Sequence, residues 1–310
     1  MQVEVAGHTS GPKWLAIVNP VSGDGITGRD WPFVDMLLRE AGICFEPVFT
    51  RYKYHAVELT VKAVNEGCRH IIVVGGDRTL YEVVNGLYIQ QTVSPLEVLL
   101  GIIPSPHDRG EGIAGVPEEY PDAVAAIASG CFSLRPLAVV SYEEAGYRQE
   151  RYMAVNGYVG LDACMARRIG LLREEGTRNY VSRRLAAARL LASCRAIATN
   201  ICIDGRELNN ISLSGARIGL CRRQGSGEWM LELSLLRRVS RSWIVRVLFS
   251  RWGEVFVQRM YRRGLTECRY GRNITISASQ QLEVGADGDS IGYAPVTFRI
   301  IDDALKVVVR

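Results

Sequence analysis

At 310 residues the chain is long enough to bury two cores of ordinary domain size, and 47% hydrophobic with 23% charged residues is a globular composition, not a disordered one. The formal charge of +4 is too small to mark a nucleic-acid binder by itself, and no run reaches the roughly eighteen apolar residues of a spanning helix. The eight cysteines (44, 68, 131, 164, 194, 202, 221 and 268) show no CxxC or CxC spacing. In a chain that starts without an apolar signal segment they read as buried free thiols in a reducing, cytoplasmic compartment.

The first strand is expected at Trp14–Val18, leading into the turn-rich Asn19–Gly25, NPVSGDG. Helical spacing follows over Trp31–Glu40, a strand over Cys44–Thr50, and a helix from His55 to Asn65 before Gly67. Ile71–Val74 is a β-branched run suited to a strand buried on both faces. Gly75 and Gly76 end it, and Thr79 with Glu82 three residues on spells a capping box for the next helix. Such a turn presents helix N-terminal amides to an anion. Leu96–Ile103 is a further strand, and Pro104–Pro117, PSPHDRGEGIAGVP, is too rich in Gly and Pro for regular structure. Alternating strands and helices imply an open parallel sheet, which binds ligands beyond the carboxyl ends of its strands.

After a short helix at Pro121–Ser129 the pattern turns antiparallel. Leu134–Tyr142 and Arg148–Asn156 flank a turn, and Ala196–Ile203 with Glu207–Leu213 form a hairpin about Asp204-Gly205. Ile218–Arg223 and Glu228–Leu236 add strands, Asn179–Cys194 is helical, and Val296–Ile300 and Leu305–Val309 are the last strands. The fold class expected is α/β: an open parallel-sheet domain over 1–132, a mostly antiparallel β-rich domain over 133–295, and terminal strands over 296–310 packing back toward the first. Arg237–Arg263 carries eight arginines against the single acid Glu254, interleaved with Trp243, Phe249 and Trp252. It reads either as ordinary helices with solvated arginines or as a peripheral membrane contact. No helix-turn-helix or RNP-like pattern accompanies it, so no nucleic-acid partner is expected.

NPVSG, GGDRTLYEVVNGL (Gly75–Leu87), PSPHDRGEGIAGVP, NGYVGLDA (Asn156–Ala163) and ADGDSIGYAP (Ala286–Pro295) resemble, in order and spacing, segments of the diacylglycerol kinase-like lipid kinases, which include sphingosine, ceramide and bacterial lipid kinases. The resemblance implies a nucleotide-binding domain and a β-rich domain, with ATP and a hydroxyl-bearing lipid meeting in a cleft between them. It places cofactor-binding positions at Asn19, Ser22, Gly75, Gly76, Asp77, Arg78 and Thr79.

Three departures from the family pattern matter. The family's GGDGT becomes Gly75-Gly76-Asp77-Arg78-Thr79, so an arginine stands where a glycine lets the backbone approach phosphates and can supply a positive φ. Its guanidinium fills that space or holds an anion there. Aligned from Pro104, the glycine, threonine, asparagine and aspartate of the family's PxGTxND are Pro106, His107, Arg109 and Gly110, with Glu111 at the following aromatic, while the closing Gly115 and Pro117 survive. The glutamate of the family's DGE, which takes the acceptor hydroxyl's proton, becomes Asp289 after Asp287-Gly288, one methylene shorter.

Two phosphate loops have thus diverged on a retained scaffold, and loss of ordinary kinase chemistry is the economical account. The expected function is a divergent lipid-kinase homologue binding a small hydrophobic or amphipathic ligand. His107, Asp108, Glu111 and Asp289 are the catalytic candidates for acid-base chemistry on it. On that reading no cofactor and no metal ligand is expected. Two other readings stay open: an active lipid kinase needing ATP and Mg2+, and a non-catalytic pseudokinase binding a lipid or protein. Asp287 and Asp289 read equally as plain turn residues. The oligomeric state is not legible in the sequence.

Overall fold

A computed structural model describes residues 12–105, 113, 115–144, 146–174, 180–223, 225–237 and 267–310. The chain divides into two compact units, residues 1–135 with 305–310, and residues 136–304.

The first unit is a parallel sheet. Strands β1 (Trp14–Val18), β2 (Phe45–Phe49), β3 (His70–Gly75) and β4 (Leu99–Pro104) lie in the order β2-β1-β3-β4, and residues Lys306 and Val307 of the chain's last strand pair in parallel with Leu99 and Leu100. Ile71 to Val74 are at most 1% exposed, as both-face burial of a central strand requires. Each such side chain contributes about 1.5–3 kcal/mol of apolar burial. Helices α1 (Ser22–Glu40), α2 (His55–Asn65), α3 (Asp77–Ile89) and α4 (Tyr120–Ser129) complete this unit. Trp14, Val18, Val34, Leu38, Ile72, Val74, Ile103, Val124 and Ile127 share one core cluster.

Helical structure in α1 begins well before Trp31. Gly23, Asp24 and Gly25 form a left-handed turn with φ of 60°, 60° and 88°, and the regular helix runs on from there through Pro32. Low-propensity glycines hid this start from the sequence pattern.

The capping box also lies elsewhere than expected. Helix α3 begins at Asp77 behind Gly76, with no side-chain cap, so Thr79 lies inside it. Glu82 turns to α2 instead, its carboxylate accepting from the Tyr54 and Ala56 amides at 3.0 and 3.1 Å. A complete capping box does occur at Ser94 and Glu97, around the 3-10 turn Pro95–Glu97. That turn removes Leu96 from the strand expected there.

The second unit is mostly antiparallel. Its strands are β5 (Phe132–Glu144, from Pro136 on), β6 (Tyr147–Met153), β7 (Asn156–Gly160), β8 (Ile197–Ile203), β9 (Arg206–Leu213), β10 (Gly215–Arg222), β11 (Trp229–Leu236), β12 (Glu267–Gly271), β13 (Asn273–Ala278), β14 (Glu283–Ala286), β15 (Asp289–Tyr293) and most of β16 (Val296–Val308). Helices α5 (Leu161–Glu174) and α6 (Tyr180–Ser193) interrupt them. One six-stranded sheet runs β12-β11-β10-β7-β14-β15, with every pairing antiparallel. The β8–β9 hairpin turns at Asp204 and Gly205, both at positive φ (48° and 82°), as a two-residue hairpin loop requires. The two terminal strands expected over 296–309 are one continuous strand, β16.

All eight cysteines are free, but none is fully buried: Cys44, Cys131 and Cys268 are exposed and the rest half-buried. Among the described residues no helix is long and apolar enough to cross a membrane.

Candidate functional site

Those sequence candidates of the first unit that are described, Asn19, Ser22 and Gly75 to Thr79, lie at one edge of its sheet. Strands β1, β3 and β4 end side by side. Asn19, leaving β1, donates its amide to the Val74 carbonyl at 2.9 Å, and Ser105, leaving β4, donates to the Gly75 carbonyl at 2.9 Å. From Asn19 the chain turns tightly: its side-chain oxygen accepts from the Val21 amide at 3.2 Å and its carbonyl accepts from the Ser22 amide at 3.2 Å. The Asn19 Nδ2 then donates to Thr79 Oγ1 at 2.9 Å, tying this turn to the first turn of α3.

Gly75 is required here by close approach. A Cβ added to it would lie 2.5 Å from Thr79 Oγ1 and 2.9 Å from Thr79 Cβ. Gly76 is extended (φ −96°, ψ −172°), so no left-handed conformation is needed there. Asn19, Ser22, Gly75, Gly76, Asp77, Arg78 and Thr79 are therefore neighbours at the carboxyl edge of a parallel sheet, beside a helix N-terminus whose first amides lack intrahelical acceptors by geometry.

Arg78 is the second residue of α3 and has an ordinary helical backbone, so the positive φ considered for this position does not arise. What distinguishes arginine from glycine here is bulk and charge, not backbone strain. Ser105 was not a sequence candidate. It is 1% exposed, and among the described residues its Oγ has no hydrogen-bond partner. Nothing in the local sequence marks it beyond its place after β4.

His107, Asp108, Arg109 and Glu111 lie outside the described residues, as does the arginine-rich stretch from 238 to 263. What the structure describes at Gly75–Thr79 is a tight strand-to-helix turn at the sheet's carboxyl edge, with Arg78 in the first turn of the helix. For Mg2+, no group of three His, Cys, Asp or Glu side chains stands together among the described residues.

In the second unit, Asp287 and Asp289 flank the β14–β15 turn, with Asp287 and Gly288 at φ of 44° and 84°. Asp287 is fully buried. Its Oδ2 accepts from the Ala154 amide at 2.7 Å, and its Oδ1 accepts from Val155 and Asn156 at 2.9 and 2.6 Å. Burial pushes its carboxyl up to about 7, against the opposing pull of those three N–H groups. Its acceptor sites are spent on backbone, so it acts as a clamp on the entry to β7. Asp289 opens β15 opposite Ala286 and is 4% exposed.

Nearby in the same sheet, Arg217 is 6% exposed and donates from Nε to Asn156 Oδ1 at 3.3 Å, with its guanidinium 5.9 Å from the Tyr158 ring. On α5, burial first and the Glu283 carboxylate second push the Cys164 thiol up to about 12. Arg167 pairs with Glu283 at 2.7 Å. Sequence reading named Cys164 only as one of the free thiols and passed over Arg217, Arg167 and Glu283, which no motif marks.

Residues 13–106 match the diacylglycerol kinase catalytic domain family. Over 103 residues, 32% of this chain, it is 36% identical to Sphingoid long-chain bases kinase 1 of Arabidopsis thaliana, and that stretch is 14% of the plant protein's length. Along nearly its whole length the fold matches a diacylglycerol kinase from Bacillus anthracis str. Sterne, at 16% identity and a TM-score of 0.62, covering 98% of each chain. A second crystal structure from that organism gives a TM-score of 0.65 at 18% identity, covering 98% of this chain and 99% of the other. The likeness to that catalytic domain thus covers residues 13–106, within the first unit, and over its length the chain shares the fold of the two bacterial structures.

Proposed function

We propose that this protein is a lipid-kinase homologue that has left ordinary ATP-dependent phosphoryl transfer and uses its scaffold for a small hydrophobic or amphipathic metabolite. The observation that carries this reading is Arg78: at the second position of α3 it puts a long cationic side chain where the family's loop has none. Phosphoryl transfer depends on positioning and charge stabilisation around the phosphates, so a change at that residue acts on the reaction itself.

Under this proposal His107, Asp108, Glu111 and Asp289 are the acid-base groups. A histidine near its ordinary pKa exchanges protons at neutral pH, and a carboxylate at Asp289 holds or receives one. Arg78 then serves an anionic or carbonyl group of the metabolite, as a guanidinium does with planar oxygen pairs.

An active kinase is the second reading, and two observations favour it. Arg78 takes its place in α3 without backbone strain, and the Asn19–Thr79 link that shapes the loop is intact. Turnover separates the two readings. Purified protein with magnesium and terminally labelled ATP is offered diacylglycerol and sphingoid base in mixed micelles. The proposal expects no labelled lipid; label transferred to a lipid hydroxyl, and lost in Asp289→Asn, would establish the kinase.

A further inference from the structure

The loop between β2 and α2 has a composition that the site does not use. Strands β1 and β2 are parallel neighbours, with Val18 opposite Phe49 and the Thr50 amide donating to the Val18 carbonyl at 2.9 Å. The chain therefore leaves both strands on one edge, at the spacing of adjacent strands, about 4.8 Å. On that edge Val21 is 74% exposed, Tyr52 56%, Tyr54 42% and Phe49 39%. Arg51 and Lys53 alternate with the tyrosines, and both are exposed.

These side chains are held rather than loose. Tyr52 donates its hydroxyl to Glu58 at 2.7 Å and stacks on His55 with ring centroids 4.4 Å apart. The Lys53 ammonium lies 4.7 Å from the Tyr54 ring centroid. The Arg51 amide donates to His55 Nδ1, and Glu82 fixes the Tyr54 amide. Beside the loop, Pro47, Val48, Phe49, Arg51, His55 and Leu59 line a groove of about 420 Å³.

We propose that Arg51–Tyr54, with Val21 beside it, docks on an anionic lipid surface. Tyrosines with an apolar body and polar tip settle at the boundary between headgroups and acyl chains, and cations placed between them reach the lipid phosphates. The core of a protein interface excludes lysine, whereas a headgroup layer attracts it. Glu58, the acid closest in sequence, accepts from Tyr52 and keeps its charge, so residues 51–58 carry two cations against one acid. Through Glu82 the loop is bound to α3, so docking would bring the Gly75–Thr79 edge to the lipid. That consequence rests on the lipid reading above; the binding itself is measured without it.

The test is cosedimentation of the full chain, with no nucleotide, against phosphatidylcholine vesicles and against vesicles that also contain phosphatidylserine. Phosphatidylserine-dependent binding is expected, weakened about tenfold or more in Arg51→Glu/Lys53→Glu and reduced in Tyr52→Ser, with thermal midpoints close to that of the parent. Absence of phosphatidylserine-dependent binding overturns the proposal. So does full binding by the double variant, including the case in which Arg246→Ser/Arg251→Ser abolishes it instead.

Discussion

Asn19 and Thr79, sixty residues apart, are joined by a 2.9 Å hydrogen bond from the asparagine Nδ2 to the threonine hydroxyl. The bond ties the turn after β1 to the helix after β3, and Gly75 has no side chain because Thr79 occupies that space. Removing either partner costs about 1 kcal/mol, more for the group left buried. In urea unfolding of Asn19→Ala, Thr79→Val and the double variant, the account expects the double to lose less than the sum of the singles, by about 1 kcal/mol. Additive losses would show that the two residues act separately.

Glu82 carries the start of a helix other than its own. Its carboxylate is 6% exposed and satisfies the Tyr54 and Ala56 amides of α2. Glu82→Ala strands two helix N-terminal donors and is expected to cost about 2–4 kcal/mol. Amide exchange should quicken through the first turn of α2 while the first turn of α3 keeps its protection. Faster exchange confined to α3 would restore the capping box read from Thr79 and Glu82.

Asp287 makes stability depend on pH. Its folded-state pKa is raised from 3.8 to about 7 by burial, so the stability it contributes is full below 3.8 and is lost as pH rises toward about 7. The slope is at most about 1.4 kcal/mol per pH unit. Asp287→Asn should remove that slope. It should also destabilise the second unit, because the amide's NH2 replaces one of the two oxygens that accept from three N–H groups. Urea midpoints across this range, for parent and variant, check both statements.

The parallel sheet was legible because β1, β3 and β4 are near-continuous apolar runs, and Ile71–Val74 announces burial on both faces. The Asp204-Gly205 hairpin was legible from its turn residues. The start of α1 was hidden by Gly23, Gly25 and Gly28, and β7, β14 and β15 by glycines that interrupt their alternation. At the site, the glycine loop and Asn19 stood out as turn chemistry. The bond between Asn19 and Thr79, the capping by Glu82 and the Asp287 clamp are all contacts across long sequence separations, which local pattern does not encode. The positive φ that glycine can supply is not called on at Arg78, because α3 begins at Asp77 and Arg78 is its second residue.

The central claim concerns nucleotide at the Gly75–Thr79 edge, and calorimetric titration of ATP and ADP, with and without magnesium, tests it most directly. Parent protein and Arg78→Gly are compared under the same conditions. The account predicts that the parent shows no binding at physiological nucleotide concentrations, and binding recovered in Arg78→Gly would assign the block to that one side chain. ATP binding by the parent in the presence of magnesium would contradict the claim and make the protein a lipid kinase that tolerates arginine in its phosphate loop.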